Sequence, residues 1–225
     1  MRADIVCLQE AREARDKLSR LDAFDFYERV MPQRKDDQNI ILSRFAVRAR
    51  GEVHFSQLAS RRLQPALFAD MPVDGKTLRV YNCHFGIVTV GPAAREQQLR
   101  RVIEHAAEHS GPVIICGDMN TTIPRHGLRR SMVQLFHLQP PGSVRVNGER
   151  FAGDERYAFV KVAEEWGYRE ATDISQSTWS IYPLKWELFK LKLDWLLVRG
   201  VETSNVVLHP YISDHKAIHA DCMVN

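Results

Sequence analysis

The sequence predicts an α+β sandwich, two packed β-sheets with helices on the outside. Three observations carry that prediction. Strand-like runs recur along the whole chain, few stretches have helical period, and the polar residues able to do chemistry fall at the ends of the strand-like runs.

The runs are ADIVCLQ, FDFYERV, NIILSRF, GEVHFSQL, LRVYNCHF, PVIICGD, KLDWLLV, NVVLHPY and KAIHADCMV. They are short, rich in β-branched or aromatic residues, and bounded by Gly, Pro, Asp or Asn, which is the pattern of strands between turns. Helical period is clearest over residues 92–110, where Ala94, Leu99, Val102, Ile103, Ala106 and Ala107 form an apolar stripe. Residues 11–20 (AREARDKLSR) and 155–166 (ERYAFVKVAEEW) also read as helices. Many strands with a few interspersed helices suit two sheets packed face to face. No repeat, low-complexity tract or Gly/Ser linker interrupts the pattern, so residues 1–225 read as one domain.

Composition narrows the class without choosing a function. At 225 residues, 44% hydrophobic and 26% charged, the chain is long enough for a large core and has an ordinary globular balance. Its net charge of +3 suits a phosphate-bearing partner but excludes a lysine-rich nucleic-acid packaging protein. Cys7, Cys83, Cys116 and Cys222 each lie inside an apolar run, and no two have metal-site spacing. They read as reduced core residues, which points to a reducing, cytoplasmic compartment. No apolar stretch approaches the length of a membrane span, and the N-terminus has no signal-peptide pattern.

The informative feature is the placement of acids and histidines. IVCLQ ends on Glu10, VYNC on His84, and VIICG on Asp118, with Asn120 two residues further on. Asp194 opens WLLV, and Asp214-His215 precedes KAIHADCMV. If the second group of strands runs opposite to the first, all these tips meet at one rim. Side-chain alternation allows Asn82 and His84 to share a face. Four carboxylates gathered in this way repel one another and resist ionisation. A hard divalent cation with oxygen ligands resolves the conflict, and Mg²⁺ or Mn²⁺ fits better than zinc because no cysteine or three-histidine cluster is present. Taken singly, each residue has an ordinary reading as a cap, a turn or a hydrogen-bonded histidine. Only the set is informative.

LQE, NxH, GDxN, LDW and SDH, in that order, resemble the endonuclease/exonuclease/phosphatase superfamily, over nearly the whole chain. The resemblance implies a four-layer α/β/β/α sandwich of two mixed sheets with outer helices, and metal-dependent hydrolysis of phosphodiester or phosphomonoester bonds. It implies that Glu10 is the main metal ligand and that Asp214 supports the metal or its surroundings. Asp118 resembles the family's base, with Asn120 orienting the attack and contacting the phosphate. His215 resembles the histidine that binds the scissile phosphate, its tautomer fixed by Asp194, and His84 flanks the phosphate or leaving group. Asn82, Asn39 and Arg125 are the candidate substrate contacts. Family members carry an earlier strand whose Asn or Asp contributes to the site, whereas only Met1, Arg2 and Ala3 precede Asp4. The expectation is therefore an N-terminally incomplete chain, short of a strand and a helix, roughly 25–40 residues.

Substrate class is less constrained. Arg125, His126, Arg129 and Arg130 form either a phosphate-steering patch or a solvated helix face. Trp179, Tyr182, Trp186 and Phe189 make an aromatic loop able to stack a base, enter a membrane interface, or pack as a lid. The favoured reading is a nuclease-like phosphodiesterase acting on a phosphodiester, nucleic acid among the candidates. A lipid-headgroup or inositol-phosphate hydrolase and a catalytically impaired binding module are the alternatives.

Overall fold

A computed structural model describes residues 3–11, 28–34, 37–55, 63–87, 90–121, 155–180, 191–209 and 213–225. In chain order the described elements are β1 (Ile5–Leu8), β2 (Glu28–Val30), β3 (Ile40–Ser43), β4 (Ala49–Val53), β5 (Ala66–Val73) and β6 (Lys76–His84). There follow α1 (Pro92–Ala107), β7 (Val113–Asp118), α2 (Glu155–Glu165), β8 (Arg169–Glu170), β9 (Asp194–Arg199), β10 (Val201–His209) and β11 (Ala217–Val224).

One layer is a six-stranded mixed sheet in the order β4-β5-β6-β7-β9-β8. Its neighbours are antiparallel except β6 and β7, which run parallel and are joined through α1. The facing layer comes in two pieces, a three-stranded antiparallel sheet β1-β3-β2 and the hairpin β10-β11. Strand alternation sets the two sides of the large sheet. Tyr81, Cys83, Val113, Ile115, Trp195 and Leu197 point to α1 and α2, against Leu99, Val102, Ile103, Phe159 and Val162. Val80, Ile114, Leu196 and Val198 point the other way, to Ile5, Cys7, Ile41, Ile218 and Ala220 of the facing layer. The layered α/β sandwich expected from the sequence is the observed fold. The helix expected over 11–20 lies outside the described residues except for Ala11, which packs with Ile40 and Leu42 on the outer face of β3.

The apolar stripe of α1 is buried at Leu99, Val102, Ile103 and Ala106, while Ala94 is half-buried and Ala107 exposed. The same face also buries Arg95 and Gln98, which the hydrophobic pattern did not reveal. Two strands were not anticipated. β5 has apolar residues on both faces and carries Pro72 near its end, so it shows neither alternation nor a Pro-free run. Its signal was the Asp74-Gly75 pair, both residues at positive φ (49° and 77°), which closes a two-residue hairpin onto β6. β8 is only two residues long and too short to announce itself. All four cysteines are free; Cys83 is buried as expected, Cys7 and Cys116 are half-buried, and Cys222 is exposed rather than in the core. No helix among the described residues is long and apolar enough to cross a membrane.

Gly117 is the one glycine on which the site's strand depends. Its φ is +125°, and a Cβ there would lie 2.1 Å from the Cys83 carbonyl oxygen of β6. A side chain would have to push two adjacent strands apart next to Asp118. Gly117→Ala should lower unfolding stability by at least ~2 kcal/mol, read from urea unfolding curves. A variant with the parental midpoint would show that this close approach is not required.

Candidate active site

His84, Asp118 and Asp194 stand in one row across three neighbouring strands, since His84 pairs with Asp118 and Asp118 with Asp194 in register. Residues paired in register share a face, and here it is the one turned to the second layer. β6 and β7 end on this row and antiparallel β9 begins on it, so the opposed strand directions inferred from the sequence are those observed. The second layer completes the group. Glu10 follows β1, and its Oε1 lies 3.9 Å from His84 Nε2, which is itself 3.6 Å from Asp118 Oδ2. His215 precedes β11 and puts Nδ1 at 2.9 Å from Asp194 Oδ2.

Asp118 is the most constrained member. Burial, and next the charge of Asp194, push its carboxyl up to about 8, against a lowering by His215 and by the Asn120 amide. Asn120 holds it in place: its backbone N–H donates to Oδ1 at 2.9 Å and its Nδ2 to Oδ2 at 3.2 Å, while Nδ2 also donates to the Phe85 carbonyl at 3.0 Å. To do this Asn120 adopts φ 52°, a left-handed backbone that Asn tolerates better than most residues. Glu10 has the same φ of 52°. Two left-handed residues in one cluster are the local strain that functional sites often hold.

The two histidines differ in charge. Burial lowers the pKa of His84, outweighing the opposite pull of Glu10, so it is neutral at pH 7. Its Nδ1 is buried and has no hydrogen-bond partner among the described residues. For His215 burial also acts downward, but the hydrogen bond and charge of Asp194 prevail and raise it to about 9. It is therefore an imidazolium at pH 7, with Nδ1–H donated to Asp194.

Asp118, Asp194 and His215 each bring a ligand-type atom within 4.8 Å of the others. A protonated His215 with Nδ1 engaged is a poor ligand through that nitrogen. The carboxylates fit a hard cation better: Glu10 has a 75% exposed side chain beside His84, and Asp118 is held protonated by burial and by the charge of neighbouring Asp194. A divalent cation held by Glu10 would lie beside Asp118 and favour its ionised form. Asp214 is near but engaged, its Oδ2 accepting the Trp179 indole N–H at 3.1 Å.

Asn82 and Asn39 are put to a different use from the expected substrate contacts. Asn82 is wholly buried; its Nδ2 donates to the carbonyls of Leu8 and Ile40, each at 2.9 Å, and its Oδ1 accepts from Gln9. It pins β1 and β3 of one layer to β6 of the other and so fixes the approach to Glu10. Asn39 is buried beside it, its Nδ2 donating to Pro65 and Asn82 carbonyls. In sequence, an inward-facing amide that joins layers looks like one that faces a ligand. Arg125, His126, Arg129 and Arg130 lie outside the described residues, as do Tyr182, Trp186 and Phe189. Arg95 is a supporting residue that pattern reading missed. It is buried, pairs with Glu155 at 2.7 Å, and donates to the Ile87 carbonyl at 3.0 Å, securing the turn after His84.

The chain belongs to the endonuclease/exonuclease/phosphatase family, whose model matches residues 1–215. Among solved structures it is similar to D. rerio TDP2 complexed with a single-strand DNA product, at 16% identity and a TM-score of 0.67, over 99% of this chain and 86% of that one. An endonuclease/exonuclease/phosphatase from Bacteroides vulgatus shares 17% identity and a TM-score of 0.69, over 99% and 85%. Truncated Caenorhabditis elegans TDP2 shares 19% identity and a TM-score of 0.59, over 96% and 83%. At these identities the likeness is one of fold. No curated protein matches the chain.

Asp194→Asn should bring the His215 pKa down from about 9, because the two largest upward influences, a hydrogen bond and a charge, come from the Asp194 carboxylate, with smaller ones from Asp118 and Asp214. An NMR titration of the imidazole in metal-free protein reads this directly. An unchanged midpoint would mean that the pair does not form in solution.

Proposed function

We propose that the chain is a Mg²⁺- or Mn²⁺-dependent phosphodiesterase with nuclease-like chemistry, and that single-stranded nucleic acid is its substrate class. The observation that carries the reading is the row His84–Asp118–Asp194, closed from the second layer by His215 and Glu10. Family membership supports phosphoester hydrolysis, and the D. rerio neighbour with its single-strand DNA product supports the choice of substrate.

Glu10 would hold the cation, with Asp214 in support; once bound it supplies charge neutralisation at the phosphate and a more acidic water. The protein's own residues do the remainder. Asp118 takes the proton of the attacking water on its carboxylate, and the Asn120 donors keep both oxygens oriented for it. His215, its Nδ1–H given to Asp194, presents Nε2–H to a non-bridging phosphate oxygen where negative charge builds up. Neutral His84 sits between Glu10 and Asp118 without adding charge to the cluster.

Exhaustive chelation with EDTA should abolish hydrolysis of a single-stranded oligonucleotide, and Mg²⁺ or Mn²⁺ should restore it. Full activity in EDTA would overturn the assignment. Asp118→Asn and His215→Ala should each lower kcat by at least ~10²-fold with little change in melting temperature, while Glu10→Gln should raise the metal concentration needed. Duplex DNA, RNA, sphingomyelin, phosphoinositides and bis-p-nitrophenyl phosphate belong in the same panel. Turnover of a lipid substrate with none on nucleic acid would redirect the substrate, and no turnover on any member would indicate a binding module.

A further inference from the structure

Asp194 and His215 belong to different layers. Asp194 opens β9 of the six-stranded sheet, whereas His215 precedes β11 of the facing hairpin. A hydrogen bond of 2.9 Å between them is directional, so something must hold the two layers in register at that point. The first residues of β9 are poorly placed to do so. β7 covers one edge of β9, but on the other edge β8 reaches only Leu197 and Val198.

Side chains finish that edge in place of a strand. Glu170 Oε2 accepts the Leu196 N–H at 3.1 Å. One turn of chain further on, Thr178 Oγ1 accepts two backbone donors, Leu193 N–H at 2.9 Å and Asp194 N–H at 3.0 Å. The Thr178 side chain is fully buried, and its own backbone N–H donates to the Leu191 carbonyl at 2.9 Å. Its carbonyl then accepts the N–H of Lys216, the residue after His215, at 2.8 Å. The adjoining residues extend the seam: Trp179 and His215 lie opposite each other as a single antiparallel pair, and Ser180 N–H donates to the Asp214 carbonyl at 2.9 Å. Among the described residues, Thr178 is the one whose hydrogen bonds reach both Asp194 and the backbone beside His215.

We propose that Thr178 is a positioning residue that sets the alignment of Asp194 with His215 by bonding to both layers at once. The inference rests on the reading of that pair as part of the reaction centre. Thr178 touches no substrate; it acts through the pair. Removing its hydroxyl leaves two buried N–H groups unpaired next to Asp194, and the strand end then shifts to find other partners. Small displacements of a catalytic group are enough to cost about 100-fold in rate.

The test compares Thr178→Val, which keeps shape but loses the acceptor, with Thr178→Ser, which keeps the acceptor, on a single-stranded oligonucleotide with Mg²⁺. The Val variant should lose about 10- to 100-fold in kcat with KM nearly unchanged, and the Ser variant should stay within about 3-fold of the parent. The decisive arm repeats Thr178→Val in a His215→Ala background. Coupled residues are non-additive, so the added loss there should shrink to less than about 2-fold. An undiminished loss in that background would mean that Thr178 acts elsewhere and would overturn the proposal, as would a Val variant with parental kcat. If Thr178→Val does not fold, Thr178→Cys, of similar size but a weak acceptor, should fall between Ser and Val-like losses, and Ser-like activity for it would overturn the proposal. Parental turnover by His215→Ala alone would overturn the reading of the site, and the proposal with it. A silent Thr178→Val beside a crippled His215→Ala would remove the proposal only.

Discussion

The position of β7 between β6 and β9 is the constraint on which the rest of this molecule depends. Its last residue, Asp118, has His84 on one side and Asp194 on the other. That arrangement needs β6 and β7 parallel and β9 antiparallel, and it needs all three strands in one register. A slip of one residue at either interface would turn Asp118 to the helix side, where Met119 and Trp195 now pack. Gly117 allows β7 to approach β6 at the last step, and the Phe85 N–H bonds the Asp118 carbonyl at 2.8 Å immediately beyond it. Strand register here is therefore a catalytic variable as much as a structural one.

The same register creates an electrostatic difficulty. Asp118 and Asp194 are both buried and adjacent, and burial is the larger reason that the Asp118 carboxyl rises to about 8. The site balances charge unequally. Asp194 has a permanent partner in His215, whose imidazolium it stabilises to about 9. Asp118 has no hydrogen-bonded cation among the described residues; it has the Asn120 donors, the more distant charge of His215 and a neutral His84 at 3.6 Å. Two carboxylates in one row thus have different environments, one neutralised within the protein and one left to respond to what enters. That division is how neighbouring acids acquire separate roles.

Much of this was readable from residue order. Strand tips ending in Glu10, His84 and Asp118, and strands beginning after Asp194 and Asp214-His215, marked both the sheet directions and the members of the cluster. Short β-branched and aromatic runs between turn residues announced most of the strands, and the helical stripe of α1 was equally plain. What was not readable was whatever depends on a partner distant in sequence. Asn82 bonds Leu8 and Ile40, and Arg95 bonds Glu155, so neither role can be inferred from local pattern. β5 hid because a strand buried on both faces loses its alternation. Thr178 hid for a related reason. Its partners are Leu193, Asp194 and Lys216, and a Thr in a polar loop carries no mark of them.

The buried polar residues that sequence reading passed over share one task. Asn82 joins β6 to β1 and β3, Thr178 joins β9 to the start of β11, and Arg95 joins both helices to the turn after His84. Each links elements that apolar packing alone leaves free to slide. Hydrophobic burial between the layers is non-directional, so it favours contact without selecting one register. Hydrogen bonds are directional and costly to leave unmade in a dry interior, so they do select one. A site assembled from two layers needs that selection, because Glu10 and His215 come from the two pieces of one layer while His84, Asp118 and Asp194 come from the other. The buried amides, hydroxyl and guanidinium thus convert a stable sandwich into one whose layers meet with their reactive tips aligned.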